Sequence, residues 1–587
     1  MSLAIQPVET LIARDPVTRI NSKRQYVILV GGQRVTYKSI SSTSYNDSTF
    51  SFTAPPPNPG VIVDRKLALR APVRVTFVGT APPGQNLLQT GFDAPRKNCL
   101  SSVMNSIDVT LNNTSTSINI SDVIHPLTRY NTGAEIRDGE LSIGPQMDDQ
   151  YQRYPDATGT VRNSLAGYAD VYPELGRGAF PYTSVVNTNT NAVVEFTPSE
   201  FLYISPFMWG KCDRAGFIGL QTMDFTFNFG SLTRLWCHAT NSGSTFTSDP
   251  VVHFYAQPSL LFKYITPSVV SPLPQVSIYP FYKVQRYPTS PGVALASGGS
   301  TTLRTQNIQL QSIPQAIYAC ARIQKIGRTY TTTDTYCRIN SISLNWNNNS
   351  GLLGSASIQD LYRISKKNGL NYSYPQWYGE TNIWAGGTNE VVGTIGSVLK
   401  LVPGLDFGLD PDEAPGLLGT FQLQMDLNVT NVNQTSSITP ELMVITVEEG
   451  TWTIMNNQCV SQIGVISRQD VVNAPGRPEV DYEDIKDAYG GNFWTGLKKF
   501  GQALWSGIKK GIHTIAPVVG AVGQFIPGVG PLIKTGADIA TRLTGSARRG
   551  GVYTGGRKKK RGRKKKRGGV LVGGQGMTRA QLRRALM

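Results

Sequence analysis

The chain has 587 residues, which is enough for about two to four domains of ordinary size. Its composition, with 40% hydrophobic and only 16% charged residues and with 59 glycines and 36 prolines, excludes a helical bundle, a coiled coil and a wholly disordered chain. The net charge of +17 is uneven, because residues 492–587 hold 21 Lys or Arg residues and one acid, and we therefore expect a nearly neutral globular body with a basic appendage.

The amino-terminal residues and the cysteines bear on the cellular compartment. Residues 1–20 contain no uninterrupted apolar stretch, so we expect no signal peptide. The six cysteines are scattered without a CxxC pair, which is typical of thiols in a reducing compartment. A zinc site formed by one group of Cys and His residues is not favoured, because its spacing matches no known ligand pattern. Its members are Cys212, Cys237, His238 and His253.

Between about residues 30 and 465, hydrophobic residues recur at every second position in many short runs. Residues 223–229 and residues 421–429 show this alternation most clearly. A strand with such a pattern buries one face against a core and turns the other towards water or a partner. Breaks rich in Pro and Gly separate the runs. The pattern predicts β sandwiches or jelly rolls.

The sequence also contains an internal repeat. The stretch Asn105–Asn113 resembles Asn340–Asn348, and residues 215–225 resemble residues 415–427. These two matches, called the first and the second echo, occur in the same order and at corresponding places in the two halves of the sequence. We therefore predict two similar β domains, joined near residue 250.

Each copy of the first echo is followed by a serine-rich stretch and a predicted short helix, over Asp122–Tyr130 and Ile358–Lys367. In the second helix, Ser357 and Asp360 form a capping pair, and an Asn-Gly pair at residues 368–369 ends it. These signals predict a helix that packs between two strands.

Several motifs of the second half occur in an order typical of one family. They are Asn307–Pro314, Asn347–Leu353, Asp360–Ser365, Leu399–Leu401 and Asp406–Gly419. In this order they resemble the second half of the double jelly-roll major capsid proteins of Polinton-like viruses, adintoviruses and virophages, most clearly over residues 300–450. The resemblance implies two upright jelly rolls, three chains in a pseudo-hexagonal capsomer, and capsomers that tile an icosahedral shell.

We accordingly predict an all-β fold of two tandem jelly-roll domains, followed by a basic and partly helical carboxy-terminal tail. An amino-terminal arm and the first jelly roll are expected over residues 1–250, and the second jelly roll over residues 251–465. A linker over residues 466–491, an amphipathic and apolar segment over residues 492–545 and a Gly-rich polybasic tail over residues 546–587 are expected to follow.

The sequence contains no motif of an enzyme family, so we expect neither catalysis nor a cofactor. Residues 530–535 end in Lys-Thr but lack the glycine before the lysine that a Walker A loop needs, and no GxSxG or HExxH is present. The alternative to a capsid protein is a jelly-roll carbohydrate-binding or carbohydrate-active protein with a basic membrane-active tail. A solvated loop is predicted for the acidic residues Asp406, Asp410, Asp412 and Glu413, with calcium binding or paired-carboxylate chemistry as the alternatives.

Apolar residues recur at helical spacing in residues 492–512, with lysines off the apolar face. The pattern predicts a basic amphipathic helix that lies in a membrane interface or docks on the inner wall of the shell. Residues 511–533 then contain no Lys, Arg, Asp or Glu, and prolines interrupt them. This pattern favours a membrane-perturbing segment over a transmembrane helix, with a linker or a buried peptide as the alternative. The predicted membrane-active residues are Phe493, Trp494, Leu497, Phe500, Leu504, Trp505 and Ile508.

Ten of the eleven residues from position 557 to position 567 are basic. Such a run attracts phosphates through counterion release without reading base sequence, so it predicts binding to viral DNA. A nuclear localisation signal is the alternative. The predicted nucleic-acid-binding residues are Arg557, Lys558, Lys559, Lys560, Arg561, Arg563, Lys564, Lys565, Lys566 and Arg567.

Gly-Gly pairs punctuate the tail, and the candidate cleavage positions are Gly491, Gly556 and Gly574. The last pair fits the pattern cut by adenovirus-type maturation proteases, so the resemblance implies a viral cysteine protease as a partner, with flexible linkers as the alternative. The resemblance also implies a homotrimer and a capsid lattice with penton and minor capsid proteins. It places the chain in the virion and its assembly in the host nucleus or at a cytoplasmic site.

Overall fold

The computed structural model forms two compact units, Met1–Ser506 and Gly507–Met587, and each is treated by itself. The structure describes residues 34–89, 93–130, 180–207, 216–238, 243–266, 276–289, 292–332, 334–385, 388–432, 437–464, 466–472, 570–572 and 575–577. Within the first unit these residues form two β sandwiches, and most of the buried hydrophobic side chains belong to one continuous core.

The first sandwich is built from seventeen described strands. One of its sheets has the order β1-β17-β5-β12, and the other has the order β2-β3-β13-β8-β9. A further sheet has the order β10-β11-β6, with β15 and β16 also paired to β6, and β7 pairs with β14. The strands are β1 Arg34–Ser41, β2 Ser44–Tyr45, β3 Thr49–Ala54, β4 Ile62–Val63, β5 Ala68–Arg70, β6 Val73–Thr80, β7 Asp93–Pro95, β8 Met104–Leu111, β9 Thr114–Ile118, β10 Ser184–Asn187, β11 Asn191–Phe196, β12 Ser199–Phe201, β13 Met223–Phe229, β14 Trp236–His238, β15 Thr245–Phe246, β16 Val251–Phe254 and β17 Ser259–Thr266.

The second sandwich repeats this arrangement with longer strands. Its sheets have the orders β18-β28-β21-β26 and β19-β27-β22-β23, with β29 paired to β28 and β20 paired to β27. The strands are β18 Val276–Pro288, β19 Ser300–Arg304, β20 Ile308–Ser312, β21 Ala316–Ile323, β22 Arg338–Trp346, β23 Asn349–Leu352, β24 Glu380–Ala385, β25 Thr388–Gly393, β26 Val398–Leu401, β27 Leu418–Thr430, β28 Pro440–Met455 and β29 Gln458–Ile463.

Both sandwiches are jelly rolls of the same topology. In the first jelly roll β17 pairs with β1 and β13 pairs with β3, and in the second β28 pairs with β18 and β27 pairs with β19. This return of the chain to its own beginning is the jelly-roll arrangement. The predicted all-β fold of two tandem jelly rolls is confirmed.

The alternation in sequence corresponds to the burial seen in the strands. In β13 the side chains of Met223, Phe225 and Phe227 are buried, while Asp224 between them is exposed. The strand therefore presents its apolar face to the core, as period-two alternation predicts.

The internal repeat is visible in hydrogen bonds at one turn of each jelly roll. Asn112 and Asn347, which the first echo aligns, both adopt the left-handed conformation, with φ of 53° and 49°. The Asn112 N–H donates to the Thr222 carbonyl at 2.9 Å, and the Asn112 side-chain oxygen accepts from the Thr222 N–H at 3.1 Å. Asn347 makes both bonds to Gln422, each at 2.9 Å. Asparagine suits this role because it tolerates positive φ and bonds neighbouring backbone.

These bonds correct the alignment of the second echo. Since Thr222 and Gln422 occupy equivalent positions, Met223 corresponds to Leu423, and not to Met425 as the sequence echo suggests. The two alignments differ by two residues, which is one full period of side-chain alternation in a strand, so the same face points towards the core in both.

The pairing of β16 and β17 moves the boundary between the jelly rolls. A boundary at residue 250 places both strands in the second domain, but β17 pairs with β1 over its whole length and β16 pairs with β6. The first jelly roll therefore continues to Thr266, and the second begins at Val276. The reason is topological, because the last strand of a jelly roll must return to the first.

Short helices connect the strands. The helix after β9 and the helix after β23 lie at equivalent places in the two jelly rolls, where the sequence predicts them. Ser357 and Asp360 form the expected capping box at the start of the second of these helices. The α-helices are α1 Cys99–Val103, α2 Ile120–Thr128, α3 Ile358–Lys367, α4 Tyr374–Tyr378 and α5 Arg468–Val472. None of the helices in the described part of the chain is long and apolar enough to cross a membrane.

Candidate functional site

A buried ionic cluster around Asp334 joins the two jelly rolls. Asp334 lies between β21 and β22 of the second jelly roll, and three cationic or titratable side chains of the first jelly roll face it. Arg96 Nη1 donates to Asp334 Oδ2 at 2.9 Å, Arg234 Nη2 donates to Asp334 Oδ1, and His125 Nε2 lies 3.4 Å from Oδ2. The side chains of Arg96 and Asp334 are 0% and 7% exposed. This group is the Asp334 cluster.

The environment keeps Asp334 ionised. Burial by itself raises the pKa of this carboxyl, but the neighbouring His125, Arg234 and Arg96 outweigh burial and hold the pKa well below its usual value. Burial also lowers the pKa of Arg234, to about 9, against the opposing effect of Asp334. At neutral pH the cluster is therefore a charged pairing of one carboxylate with two guanidinium groups.

A second ionic cluster has the opposite arrangement. Asp122 on α2 belongs to the first jelly roll, and three arginines of the second jelly roll surround it. Its carboxylate oxygens lie 2.6 Å from Arg322, 2.9 Å from Arg286 and 3.2 Å from Arg328. Burial raises the pKa of Asp122, and these arginines lower it further than burial raises it. Glu441 adds a second carboxylate, 3.3 Å from Arg328. This group is the Asp122 cluster.

The two clusters are reciprocal, because each jelly roll supplies one buried acid to the bases of the other. Ion pairs of this kind lose hydration on burial, and removing one partner leaves an uncompensated buried charge. A shifted or rotated arrangement of the jelly rolls would separate these charges. The clusters therefore specify one relative position of the two domains.

Aromatic side chains and backbone groups extend the junction beyond the charges. Arg129 donates to the hydroxyl of Tyr372 and to the carbonyl of Asp334, both at 2.9 Å. The Tyr130 hydroxyl donates to the Val398 carbonyl at 2.7 Å, and its ring meets the Tyr318 ring edge-on at 5.3 Å. These contacts anchor the segment that follows α2 in the second jelly roll.

A separate set of contacts joins the jelly rolls at the turn between β8 and β9. The Asn112 side chain donates to the Asn457 carbonyl at 2.7 Å. The Cys459 N–H donates to the Asn113 side chain at 2.8 Å, and Thr114 donates to the Cys459 carbonyl at 2.5 Å. The turn that repeats in both domains thus also binds the hairpin of β28 and β29.

Three of the four acidic side chains of the candidate calcium loop contact protein groups. Asp406 accepts hydrogen bonds from the Val402 N–H at 2.8 Å and from the Asn368 side chain at 2.6 Å. Asp412 and Glu413 lie 3.1 Å and 3.7 Å from Arg468. Their partners are cations and amides, which stabilise the loop.

The histidines of the zinc hypothesis also have carboxylate partners. His238 Nδ1 lies 2.8 Å from Asp93, and His253 Nδ1 lies 2.6 Å from Asp47. Cys212 lies outside the described residues. In the described ranges, no three His, Cys, Asp or Glu side chains are grouped for a metal ion.

The predicted tail sites lie outside the described residues. This holds for the amphipathic helix over 492–512, the polybasic run over 557–567 and the positions Gly491, Gly556 and Gly574. Two short strands, β30 Val570–Val572 and β31 Gln575–Met577, pair on either side of the last Gly-Gly pair.

Sequence reasoning missed the charged residues of the junction. Arg96 and Asp334 are 238 residues apart, and Asp122 and Arg322 are 200 residues apart. No local spacing rule links residues at such distances. The available signal was weak: charged residues are scarce in this chain, and Arg96 and Asp122 lie next to buried segments.

Two family models match most of the body. The model described as Sputnik virophage major capsid protein 1st domain matches residues 7–265, and the model described as Major capsid protein V20 C-terminal domain matches residues 284–450. The Putative capsid protein V20 of Sputnik virophage is 32% identical to the chain over 614 residues, with all of both proteins covered.

Solved structures show the same similarity. A chain of the 3.5 Å cryo-EM structure of the Sputnik virophage has a TM-score of 0.74 and 33% identity, and the match covers 84% of this chain and 100% of that one. The mavirus major capsid protein, at 13% identity, has a TM-score of 0.65, with 81% of this chain and 100% of that one covered. The second match supports the fold alone.

Proposed function

Because the chain belongs to the virophage major capsid protein family and is a component of the virion shell, we propose that it builds this shell from trimeric, pseudo-hexagonal capsomers. We also propose that its basic tail binds the genome or a membrane. The capsid proteins of the family are structural proteins, so the chain is not an enzyme, and the carbohydrate-active alternative is not retained.

The observation that carries the trimer proposal is the fixed pairing of two jelly rolls with one topology. Three such chains present six similar sandwiches around a threefold axis, and this approximates sixfold symmetry. The Asp334 and Asp122 clusters support this arrangement, because a pseudo-hexagonal unit needs the same relation between the jelly rolls in every chain. A freely hinged pair would give variable capsomers.

The outer face of one sheet offers a surface for contact between copies. Val186, Val193, Thr76 and Val251 occupy one row across strands β10, β11, β6 and β16. The side chains at the two ends, Val186 and Val251, are 55% and 49% exposed. An exposed apolar row is typical of an interaction surface, and a shell protein meets copies of itself. This row is the valine row.

The trimer proposal is tested by the mass of the purified assembly. Light scattering coupled to gel filtration should give three times the mass of the chain, and electron microscopy should show threefold particles. Replacing Val186 and Val251 by Asp should weaken association between copies, because a charge would have to be buried at the contact. Val293→Asp is the control, since Val293 is 77% exposed and lies outside the row. A monomer at high protein concentration would contradict the trimer, and equal association by all variants would exclude the valine row.

Deleting residues 557–567 should reduce binding to double-stranded DNA and leave association between copies unchanged. A contact with 6–10 phosphates weakens by about 10³–10⁵ between roughly 50 and 200 mM salt, so the full chain should show a steep salt dependence that the deletion removes. Affinity should not depend on DNA sequence. Fluorescence anisotropy with two unrelated duplexes measures both effects, and equal binding by the deleted chain would contradict genome binding through this run.

We propose further that a viral cysteine protease cuts the tail at Gly491, Gly556 or Gly574 during maturation, and that penton and minor capsid proteins complete the lattice. The Gly-Gly pattern supports the first proposal. Cleavage at Gly574 would require β30 and β31 to separate first, because a protease that binds an extended substrate must pull these paired strands apart. We also propose assembly in the host nucleus or at a cytoplasmic site, because the basic run at residues 557–567 has the composition of a nuclear localisation signal.

A further inference from the structure

An amine, a carboxamide and a carboxyl group are buried together where α3 meets β26. Asn368 ends α3 and is 0% exposed, and Lys400 on β26 is 4% exposed. The Asn368 side-chain N–H₂ donates to the Lys400 main-chain carbonyl at 2.8 Å and to Asp406 Oδ2 at 2.6 Å. Lys400 Nζ donates to the Asn368 main-chain carbonyl at 3.1 Å.

Burial shifts the amine towards its neutral form, against the attraction of two nearby rings and of Asp406 for the charged form. Lys400 Nζ lies 5.5 Å and 5.8 Å from the ring centroids of Tyr130 and Tyr318. Burial lowers the pKa of Lys400 to about 7, although Asp406 opposes the effect. The unprotonated amine is therefore accessible near neutral pH, and a desolvated neutral lysine is a nucleophile.

The other two groups are suited to react with such an amine. Asn368 Oδ1 is buried and accepts no hydrogen bond from the protein. Burial raises the pKa of Asp406 above its usual value, against hydrogen bonds from Val402, Asn368 and Lys367. A carboxyl group that titrates closer to neutral pH, and that contacts the amide nitrogen, can move protons during acyl transfer.

We propose that Lys400 and Asn368 join in an intramolecular isopeptide bond, with Asp406 as the acid–base residue. The lone pair of Lys400 Nζ attacks Asn368 Cγ, and a bond forms between these atoms. The bond from Cγ to Nδ2 breaks. Asp406 accepts a proton from Nζ and delivers one to Nδ2, which leaves as ammonia. No atom is oxidised or reduced, and no co-reactant is needed.

The groups that would react are already neighbours. Nζ already contacts the main chain of the residue that it attacks, and Asp406 already contacts the leaving nitrogen. The link would tie the end of α3 to β26, which lies beside Tyr130 of the first jelly roll. It would therefore reinforce the second jelly roll next to the junction, as any covalent loop closure restricts the unfolded chain.

The mass of the full-length protein under denaturing conditions tests the proposal. The expected mass is lower than the sequence mass by one ammonia, and proteolysis should yield a branched peptide that contains both Asn368 and Lys400. The sequence mass together with linear peptides carrying an unmodified Lys400 would overturn the proposal. Both outcomes are read from the wild-type chain, so neither depends on a variant that folds.

A second reaction also releases ammonia and must be distinguished. Asn368 precedes Gly369, and an Asn-Gly pair can close to a succinimide. That product is linear and is cleaved by hydroxylamine, whereas an isopeptide is not. A mass loss confined to a linear peptide would therefore overturn the isopeptide, and a branched peptide supports it.

Variants identify the role of each group. Lys400→Met and Asp406→Asn should each restore the sequence mass, because they remove the nucleophile and the proton carrier. Lys366→Met is the matched control, since Lys366 lies two residues before Asn368 on α3 and its side chain is exposed. It should keep the loss of ammonia and the branched peptide. Loss of the branch in Lys366→Met, or a branch that persists in Lys400→Met, would overturn the assignment to Lys400.

Discussion

Replacing Asp334 by Asn should lower the free energy of unfolding by about 3–5 kcal/mol, the range found when one partner of a buried ion pair is removed. The side chains of Arg96 and Arg234 are 0% and 10% exposed, and both would keep their charge without a facing carboxylate. Asparagine preserves the shape of the side chain, so the loss reports charge and not a cavity. Urea denaturation at neutral pH measures it.

Two further variants show whether charge is the cause. Asp426→Asn is the matched control, because Asp426 pairs with Arg304 at the surface and should leave the urea midpoint nearly unchanged. A triple variant, with Asp334 changed to Leu and both Arg96 and Arg234 changed to Met, removes the excess charge and should be more stable than Asp334→Asn. Equal losses for Asp334→Asn and Asp426→Asn would show that the junction does not depend on these ion pairs.

The same cluster should determine how the stability of the protein falls at low pH. Burial raises the pKa of Asp334, but the nearby cations lower it more, so the pKa lies well below its usual 3.8. The pKa of Asp122 is also lowered, by its neighbouring arginines. A lowered pKa stabilises the fold above the usual value, and this stability is lost as the pH falls through the pKa of the folded state. Wild-type urea midpoints should therefore fall steeply below about pH 4, and Asp334→Asn should flatten that fall.

What the sequence predicted correctly depends on local patterns. Alternation in residues 223–229 gives a strand because neighbouring side chains point to opposite faces, and the Ser357–Asp360 pair gives a helix start because it satisfies free N–H groups. The repeat around Asn112 and Asn347 was visible because a turn with positive φ constrains residue type. Each of these signals acts over fewer than about ten residues.

Long-range pairing explains what the sequence did not predict. The strand β17 belongs to the first jelly roll because it pairs with β1, more than two hundred residues earlier in the chain. The junction has the same origin. Asp334 resembles any loop carboxylate until the fold places Arg96 and Arg234 beside it, and Asn368 resembles an ordinary helix end until Lys400 is buried against it.

The second large effect concerns the tail, on the sequence expectation that residues 492–512 form an amphipathic helix. A peptide spanning residues 492–533 should cause leakage of anionic liposomes, because its apolar face partitions into the bilayer and its lysines each add about 1 kcal/mol of attraction to anionic lipid. Replacing Leu497, Phe500 and Leu504 by Asp should abolish leakage, since three charges would enter the apolar layer. Release of a trapped dye measures the effect.

The matched control places the same three charges on the opposite face, at Thr495, Gln502 and Ser506. It changes the net charge as much as the first variant does but keeps the apolar face, so it should retain part of the leakage that the first variant loses. Intact particles should not cause leakage, because an exposed apolar stripe would aggregate them, so the face must be covered until cleavage near Gly491 or disassembly releases it. In the full chain, the Leu497, Phe500 and Leu504 variant should still assemble. If it fails to assemble while the control variant assembles, the apolar face serves as an internal scaffold of the shell, and the membrane proposal is wrong.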